Sequence, residues 1–314
     1  MKKITAVAAA VILRDDGSFL LGQRAADTFY PGYWEFPGGK VEAGETPRAA
    51  LIRELHEELE IEVTQATPWV VREHVYEHAH VRLHFFRVTQ WRGELHDHVH
   101  AALEWQRADT LTVAPMLPAN APVLAALQLP AIYGITHAWQ VGPATQLTAL
   151  DRALHNGLRL VQLRESNLPM PQRHAFFATA VALCHAHGAR VLINGEPALA
   201  SATGADGVHL TAHQLMTLKT RPEMPLVAAS CHNRQELEQA ARLGLDFVVL
   251  GPVKPTATHP DQPGLGWATF SDMIADFPLP VYAIGGLSSA DIATAQNLGA
   301  QGIAAIRAVW RQTP

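Results

Sequence analysis

Three glutamates, Glu54, Glu57 and Glu58, fall within the run Arg53-Glu54-Leu55-His56-Glu57-Glu58-Leu59. On a helix turning about 100° per residue they share one sector about 100° wide. Leu51, Ile52, Leu55 and Leu59 fill the adjoining sector, which must face a core. Like charges so arranged repel by roughly a few tenths of a kcal/mol per pair. A hard divalent cation removes that repulsion, and Mg2+ is usually shared between a few carboxylates and a substrate's phosphates. Arg53 lies one turn before Glu57, so an i,i+4 ion pair can orient that carboxylate. Gly38-Gly39 lets the backbone come close, offering a carbonyl to a metal or an amide to a phosphate.

Positioning such a set requires a helix with a defined start. Thr46 is a good N-cap and Pro47 suits the first helical position, which predicts a helix over 47–59. Upstream, the apolar run 4–13, the turn Asp15-Asp16-Gly17-Ser18 and Phe19–Gly22 read as a β-hairpin. Strand-like runs follow at about 69–76 and 81–91. Leu117–Pro122 reads as a loop and 122–128 as a short closing helix.

At 314 residues the chain is long enough for two domains, and Leu129-Pro130 is the natural seam, giving domains 1–129 and 130–314. Twenty-four basic against 29 acidic residues leave a net charge of −5, which argues against a nucleic-acid or membrane partner. An apolar content of 48% excludes a disordered chain. Two cysteines, Cys184 and Cys231, cannot build a disulfide scaffold. No run reaches the ~18 apolar residues of a membrane helix, and no cleavage pattern follows the basic start, so the expected compartment is the cytoplasm.

Gly39, Glu45, Arg53-Glu54-Leu55, Glu57-Glu58 and the apolar Ile61 occur at the spacing of the Nudix box, and residues 3–128 resemble the MutT branch of that family. The resemblance implies an α/β Nudix fold, a mixed sheet between helices. It implies Mg2+, with Mn2+ as a substitute, held by Glu54, Glu57, Glu58 and the Gly38 carbonyl. The implied reaction is attack of water on a nucleoside triphosphate such as 8-oxo-dGTP, releasing pyrophosphate, with Arg53, Glu54 and Glu57 catalytic. Arg24, Phe29, Glu35, Phe36, Pro37, Gly38 and Asn120 are then the substrate-binding candidates, Asn120 offering a donor and an acceptor to a purine edge. Two departures stand out. Glu60 replaces the glycine that usually ends the helix, and a strained left-handed glutamate there, costing ~1 kcal/mol, suggests a different ending. The further loop glutamate expected near Val99 is missing from Asp97-His98-Val99-His100, where Asp97 or His98 could substitute.

Beyond Pro130 the rhythm changes to short apolar runs at 132–136, 158–163, 190–194, 207–210, 226–230, 247–251, 281–284 and 302–306, alternating with helical stretches. That alternation predicts a (β/α)8 TIM barrel, with chemistry at the C-terminal ends of the strands. Those ends carry Gln162, Arg164, Asn194, His209, Ser230, Thr256, Thr258 and Gly285-Gly286. The glycine pair suits a phosphate and Arg164 an anion.

Tyr133-Gly134-Ile135-Thr136, Val161-Gln162-Leu163-Arg164-Glu165, Gly204–Leu210 and Ala283-Ile284-Gly285-Gly286 are similar to the thiamine phosphate synthase and thiazole tautomerase superfamily over residues 131–311. The resemblance implies a thiazole phosphate or thiamine phosphate ligand. It places Gly195 and Gln214 at the synthase's magnesium aspartates, and Ser166 and His259 at two of its lysines. His232 lies at the tautomerase's histidine. Arg307 replaces a serine beside the phosphate loop, where it either grips or blocks a phosphate.

The histidines at 74, 78, 80, 84, 96, 98 and 100 read as surface residues rather than a zinc site, and Cys231 beside His232 as packing. Three readings follow: a nucleotide-sanitising diphosphatase with a degenerate barrel, a bifunctional thiamine-pathway enzyme, or a barrel acting as a sensor of thiazole or thiamine phosphate. The expected partners are a nucleotide and that phosphate, with a homodimer as a further expectation.

Overall fold

A computed structural model describes residues 3–255 and 263–311; Thr256, Thr258 and His259 lie outside the described residues. The chain forms two compact units, the first made of Met1–Leu129 with the short segment Asp276–Pro278 and the second of Pro130–Ala275 with Leu279–Pro314.

The first unit runs β1 (Ile4–Ile12), β2 (Phe19–Gln23), β3 (Trp34–Glu35), β4 (Gly38–Lys40), α1 (Pro47–Leu59), β5 (Glu62–Val75), β6 (His80–Arg92), β7 (Ala102–Gln106), a 3-10 turn at Pro118–Asn120 and α2 (Ala121–Leu127). A mixed sheet of order β4-β1-β6-β5 carries the fold, with β1 and β6 parallel. A second, antiparallel sheet has the order β3-β2-β7. The period-two alternation of β1 decides what each face buries. Ala8, Ala10 and Ile12 pack with Leu51, Leu55 and Leu59 of α1, whereas Ala9 and Val11 pack with Val123 and Ala126 of α2. The mixed sheet is thus held between helices.

The sequence reading of a β1–β2 hairpin is corrected here. Only a bridge between Leu13 and Phe19 joins the two strands, which enter different sheets. Continuous burial from Ala8 to Ile12, covering both faces, lets β1 sit centrally, and its two edges are taken by β4 and β6. Helix α1 starts as expected, the Thr46 hydroxyl accepting from the Ala49 amide at 3.2 Å. Its end does not follow expectation. Glu60 adopts the left-handed conformation, φ 56° and ψ 24°, with its N–H donating to the His56 carbonyl. His98 Nε2 lies 2.8 Å from Glu60 Oε1, a contact that helps offset the strain.

The second unit runs β8 (Ile132–Ile135), α3 (Ala138–Val141), α4 (Pro143–His155), β9 (Leu160–Leu163), α5 (Met170–Ala186), β10 (Arg190–Asn194), α6 (Pro197–Thr203), β11 (Gly207–Leu210), α7 (Ala212–Thr217), β12 (Leu226–Cys231), α8 (Arg234–Leu243), β13 (Phe247–Leu250), α9 (Gly266–Ile274), β14 (Val281–Ile284), α10 (Ile292–Asn297) and β15 (Gly302–Ala305). Its eight strands are all parallel and close into a barrel, β15 pairing with β8. Most strand residues are fully buried, as in a sheet covered on both faces. Among the described residues no helix is long and apolar enough to cross a membrane.

Candidate functional site

In the first unit the acidic set is assembled by α1 and the β4 turn. Glu54 and Glu58 face Gly38-Gly39, and Glu57 is further out on the same helix. The Gly38 amide donates to Glu58 Oε2 at 3.2 Å. Gly39 lets the Glu54 carboxylate sit against the turn, since a Cβ there would lie 2.2 Å from that carboxylate and displace it. Arg53 braces the group: its NH1 lies 3.1 Å from both Glu54 Oε1 and Glu57 Oε2. The rest of its fork meets Glu45 Oε1 and Oε2, each at 3.1 Å, and the Lys40 carbonyl. Arg53 is therefore a positioning residue that fixes two carboxylates at once.

The electrostatics record crowding. Burial pushes the Glu58 carboxyl up to about 8; Glu54 adds to the rise, the Gly38 amide opposes it, and Glu35 and Asp97 contribute further. Carboxylates held together at that cost form an oxygen-rich cradle suited to a hard divalent cation. By donor chemistry Glu54, Glu57, Glu58 and the Gly38 carbonyl are the ligands that would hold such an ion, although the three carboxylates do not all lie within 4.8 Å of one another here. Asp97 adds its charge to the same set, while His98 is turned to Glu60. Of the two candidate substitutes for the missing loop glutamate, Asp97 is the one whose charge reaches Glu58, its Oδ1 held by the Val99 and His100 amides. Burial would raise its pKa, but the His100 and Val99 amides and the His100 ring outweigh this and hold it low.

A second cluster adjoins the first. Arg24 NH1 contacts Glu35 Oε1 at 2.6 Å and Oε2 at 2.7 Å, and its Nε donates to the Phe29 carbonyl. Burial raises the Glu35 pKa, against the pull of Arg24. Asn120 is buried, and its Nδ2 has no hydrogen-bond partner. The chain leading to it is pinned to β3, because the Trp34 amide donates to the Pro115 carbonyl and the Leu117 amide to the Trp34 carbonyl. The Tyr76 hydroxyl neighbours the Ala119 backbone and feels the charges of Glu35 and Arg24, and burial raises its pKa. Tyr30, His74 and His78 ring Tyr76, and Phe29, itself 66% exposed, stacks on His78 at 4.3 Å. Sequence reading missed this aromatic wall, since Tyr30 and Tyr76 belong to no motif and the histidines read as scattered surface residues.

Two substrate-binding expectations change character. The Phe36 side chain is core, its ring packed against Phe19 and Phe85, so it serves packing. Pro37 is buried, its carbonyl accepting from the Ala10 amide. Both are placed by β1 and β2 to hold Glu35 and Gly38 on either side.

In the barrel, Gln162 is buried and donates to the Tyr133 hydroxyl, which lies 3.3 Å from His209 Nδ1; His209 Nε2 lies 3.0 Å from Ser230 Oγ. Gln162 thus belongs to an internal network. Arg164 is exposed at the end of β9 and Asn194 half-buried at the end of β10. His232 Nδ1 donates to the Gly251 carbonyl at 2.8 Å, which leaves Nε2 to accept a proton. Gly285 and Gly286 have φ of 108° and 62°, and a Cβ on either would meet Pro252 at 2.6 Å or the Pro255 carbonyl at 2.8 Å. Lys254, a cation that sequence reading missed, lies beside this loop and pairs with Asp291 at 2.6 Å.

Gly195 and Gln214 are adjacent, the Gln214 amide donating to the Gly195 carbonyl at 2.7 Å. A neutral hydrogen bond therefore spans the two positions that aspartates would occupy in a synthase of the resembled type. Arg307 lines a cavity of about 640 Å3 with His137, Gln146 and Arg152. Cys231 is buried and its thiol pKa is raised by burial, which agrees with packing rather than nucleophilic use.

An acidic helix against a glycine turn in an α/β sandwich, joined to a closed parallel barrel with a glycine loop, defines a hydrolase unit linked to a phosphate-ligand barrel. The chain belongs to the NUDIX domain family over residues 3–127 and to the thiamine monophosphate synthase family over residues 132–309. Among its relatives, the CTP pyrophosphohydrolase of Escherichia coli is 42% identical over 132 residues, covering 40% of this chain and 92% of that one. The 8-oxo-dGTP diphosphatase of Proteus vulgaris is 45% identical over 94 residues, covering 30% and 84%. A thiamine-phosphate synthase of Desulfitobacterium hafniense is 31% identical over 186 residues, covering 58% and 89%.

Proposed function

We propose that the Nudix unit hydrolyses oxidised purine nucleoside triphosphates, 8-oxo-dGTP above all, to the monophosphate and pyrophosphate, with Mg2+ as cofactor and Mn2+ as a substitute. The observation that carries the reading is the buried Asn120 Nδ2 without a partner. An unpaired buried donor costs roughly 1–3 kcal/mol, which a base-edge acceptor would recover. Tyr76 and its tilted ring neighbours supply aromatic surface for that base. When bound, the divalent cation neutralises phosphate charge and makes a nearby water more acidic. Glu54 or Glu57 takes the proton of the attacking water, and Arg53 keeps both in position. Arg24 exchanges part of its hold on Glu35 for a phosphate oxygen.

One observation favours a second base. The two Nudix relatives are named for different nucleotides, CTP and 8-oxo-dGTP, and an Asn amide can serve either edge. For the barrel we infer a thiazole-phosphate ligand, phosphate on Gly285-Gly286 and Arg164, with His232 Nε2 as the proton-transfer group. The neutral Gln214–Gly195 pair supports tautomerase-like or sensor use over synthase chemistry, because no carboxylates stand there to carry a cation for a departing pyrophosphate. A hydrolysis screen with Mg2+ across 8-oxo-dGTP, dGTP, CTP and the pyrimidine pyrophosphate precursor of thiamine tests the whole reading. A preference for 8-oxo-dGTP is expected, and a preference for the pyrimidine pyrophosphate would transfer the chain to the thiamine-pathway reading.

A further inference from the structure

On the barrel, Asp151 and His155 stand one turn apart at the end of α4, and His187 follows the last turn of α5. Asp151 Oδ1 lies 3.4 Å from His155 Nδ1 and 3.5 Å from His187 Nε2. The two imidazoles are 4.4 Å apart and inclined at 66°, and one ligand atom from each of the three residues lies within 4.8 Å of the others. Among the described residues this is the one such group of three.

For bonds of about 2.0–2.1 Å to nitrogen or oxygen, a tetrahedral site has edges of roughly 3.3–3.4 Å. The two Asp151 edges match that spacing. Both imidazoles converge on the same carboxylate oxygen, and three charges or dipoles of the right kind meet where a helix C-terminus already favours a cation. We propose that Asp151, His155 and His187 form a three-ligand site for a borderline transition-metal ion of the Zn2+ or Co2+ class, with water completing the shell.

Two imidazoles with one carboxylate select such an ion over Mg2+, which prefers oxygen. Ligation has a local cost, since His155 Nδ1 now donates to the Asp151 carbonyl at 2.9 Å and must release that proton. The helices α4 and α5 end where β9 and β10 begin, the opposite end of the barrel from the strand termini that carry Arg164 and His232. A metal here therefore joins two helix ends and takes no part in the chemistry.

The test uses the full chain in excess Mg2+, which fills the glutamates of the Nudix unit, titrated with Co2+ and then Zn2+. One equivalent of Co2+ should give the intense visible absorption of a four-coordinate ion, Zn2+ should displace it, and Tm should rise. His187→Ala and Asp151→Asn should each weaken binding at least about a hundredfold, beyond the 10–100-fold typical of outer ligand partners. His185→Ala, whose ring pairs with Asp206 instead, should leave binding unchanged. Absorption that survives both ligand variants, or that needs millimolar metal, would overturn the site as adventitious surface binding.

Discussion

Glu58 Oε2 accepts a hydrogen bond from the Gly38 amide at 3.2 Å, joining residues 20 apart in the chain. That bond ties the acidic helix to the glycine turn, so the carboxylates and the backbone that would face a phosphate move as one body. Arg53 adds a second tie through Glu54, Glu57 and the Lys40 carbonyl.

Glu57→Gln should lower kcat by two or more orders of magnitude, on the scale of losing one proton-transfer or metal-ligating group, while Tm stays within about 2 °C. The side chain is 57% exposed, so the fold does not depend on it. Steady-state kinetics with 8-oxo-dGTP and a thermal melt check both halves, and near-normal turnover would remove the acidic helix from catalysis.

Gly39→Ala separates positioning from folding. The added methyl meets the flexible end of Glu54, not backbone, so Glu54 must swing away. Turnover should fall at least tenfold with a stability loss of no more than about 1 kcal/mol. A urea titration read beside the rate distinguishes this from general unfolding.

Asn120→Ala should erase the ratio of kcat/KM for 8-oxo-dGTP over dGTP, a difference of roughly 1–3 kcal/mol for one base-edge contact. Stability should not fall, because the variant removes a buried donor that has no partner. An unchanged ratio would assign base selection elsewhere, Tyr76 being the next residue to replace.

Barrel stability should fall on acidification. Burial, with Arg164 adding to it, lowers the His209 pKa from an ordinary 6.5 to about 3. Unfolded, the ring protonates below 6.5; folded, it stays neutral until about 3. The stabilisation is complete above pH 6.5 and is lost as pH falls towards 3. Melts of His209→Gln against the parent chain from pH 7 to 4 should show a shallower decline in the variant.

Gly286→Ala should abolish the heat of thiazole phosphate binding at millimolar ligand. Its φ of 62° and the Pro255 carbonyl 2.8 Å from the would-be Cβ leave no room for a methyl. Arg164→Ala, exposed and harmless to the fold, should weaken the same heat severalfold. Calorimetry on both variants checks the barrel reading, and no heat with the parent chain would leave Gly285-Gly286 as a packing device.

The chain alone determined what depends on local order. Thr46-Pro47 set the start of α1, the spacing of Glu54, Glu57 and Glu58 set their shared face, and the beat of apolar runs set the barrel. Those are contacts within a few residues, governed by helix and strand periods. Tertiary structure alone decided the rest. The neighbours of β1, the burial of Phe36, the left-handed Glu60, the gathering of Tyr30 and His78 around Tyr76, and the neutral bond between Gln214 and Gly195 were all decided by residues brought together from elsewhere in the chain. Periodicity carries no term for such pairs, since their energy comes from long-range packing and desolvation.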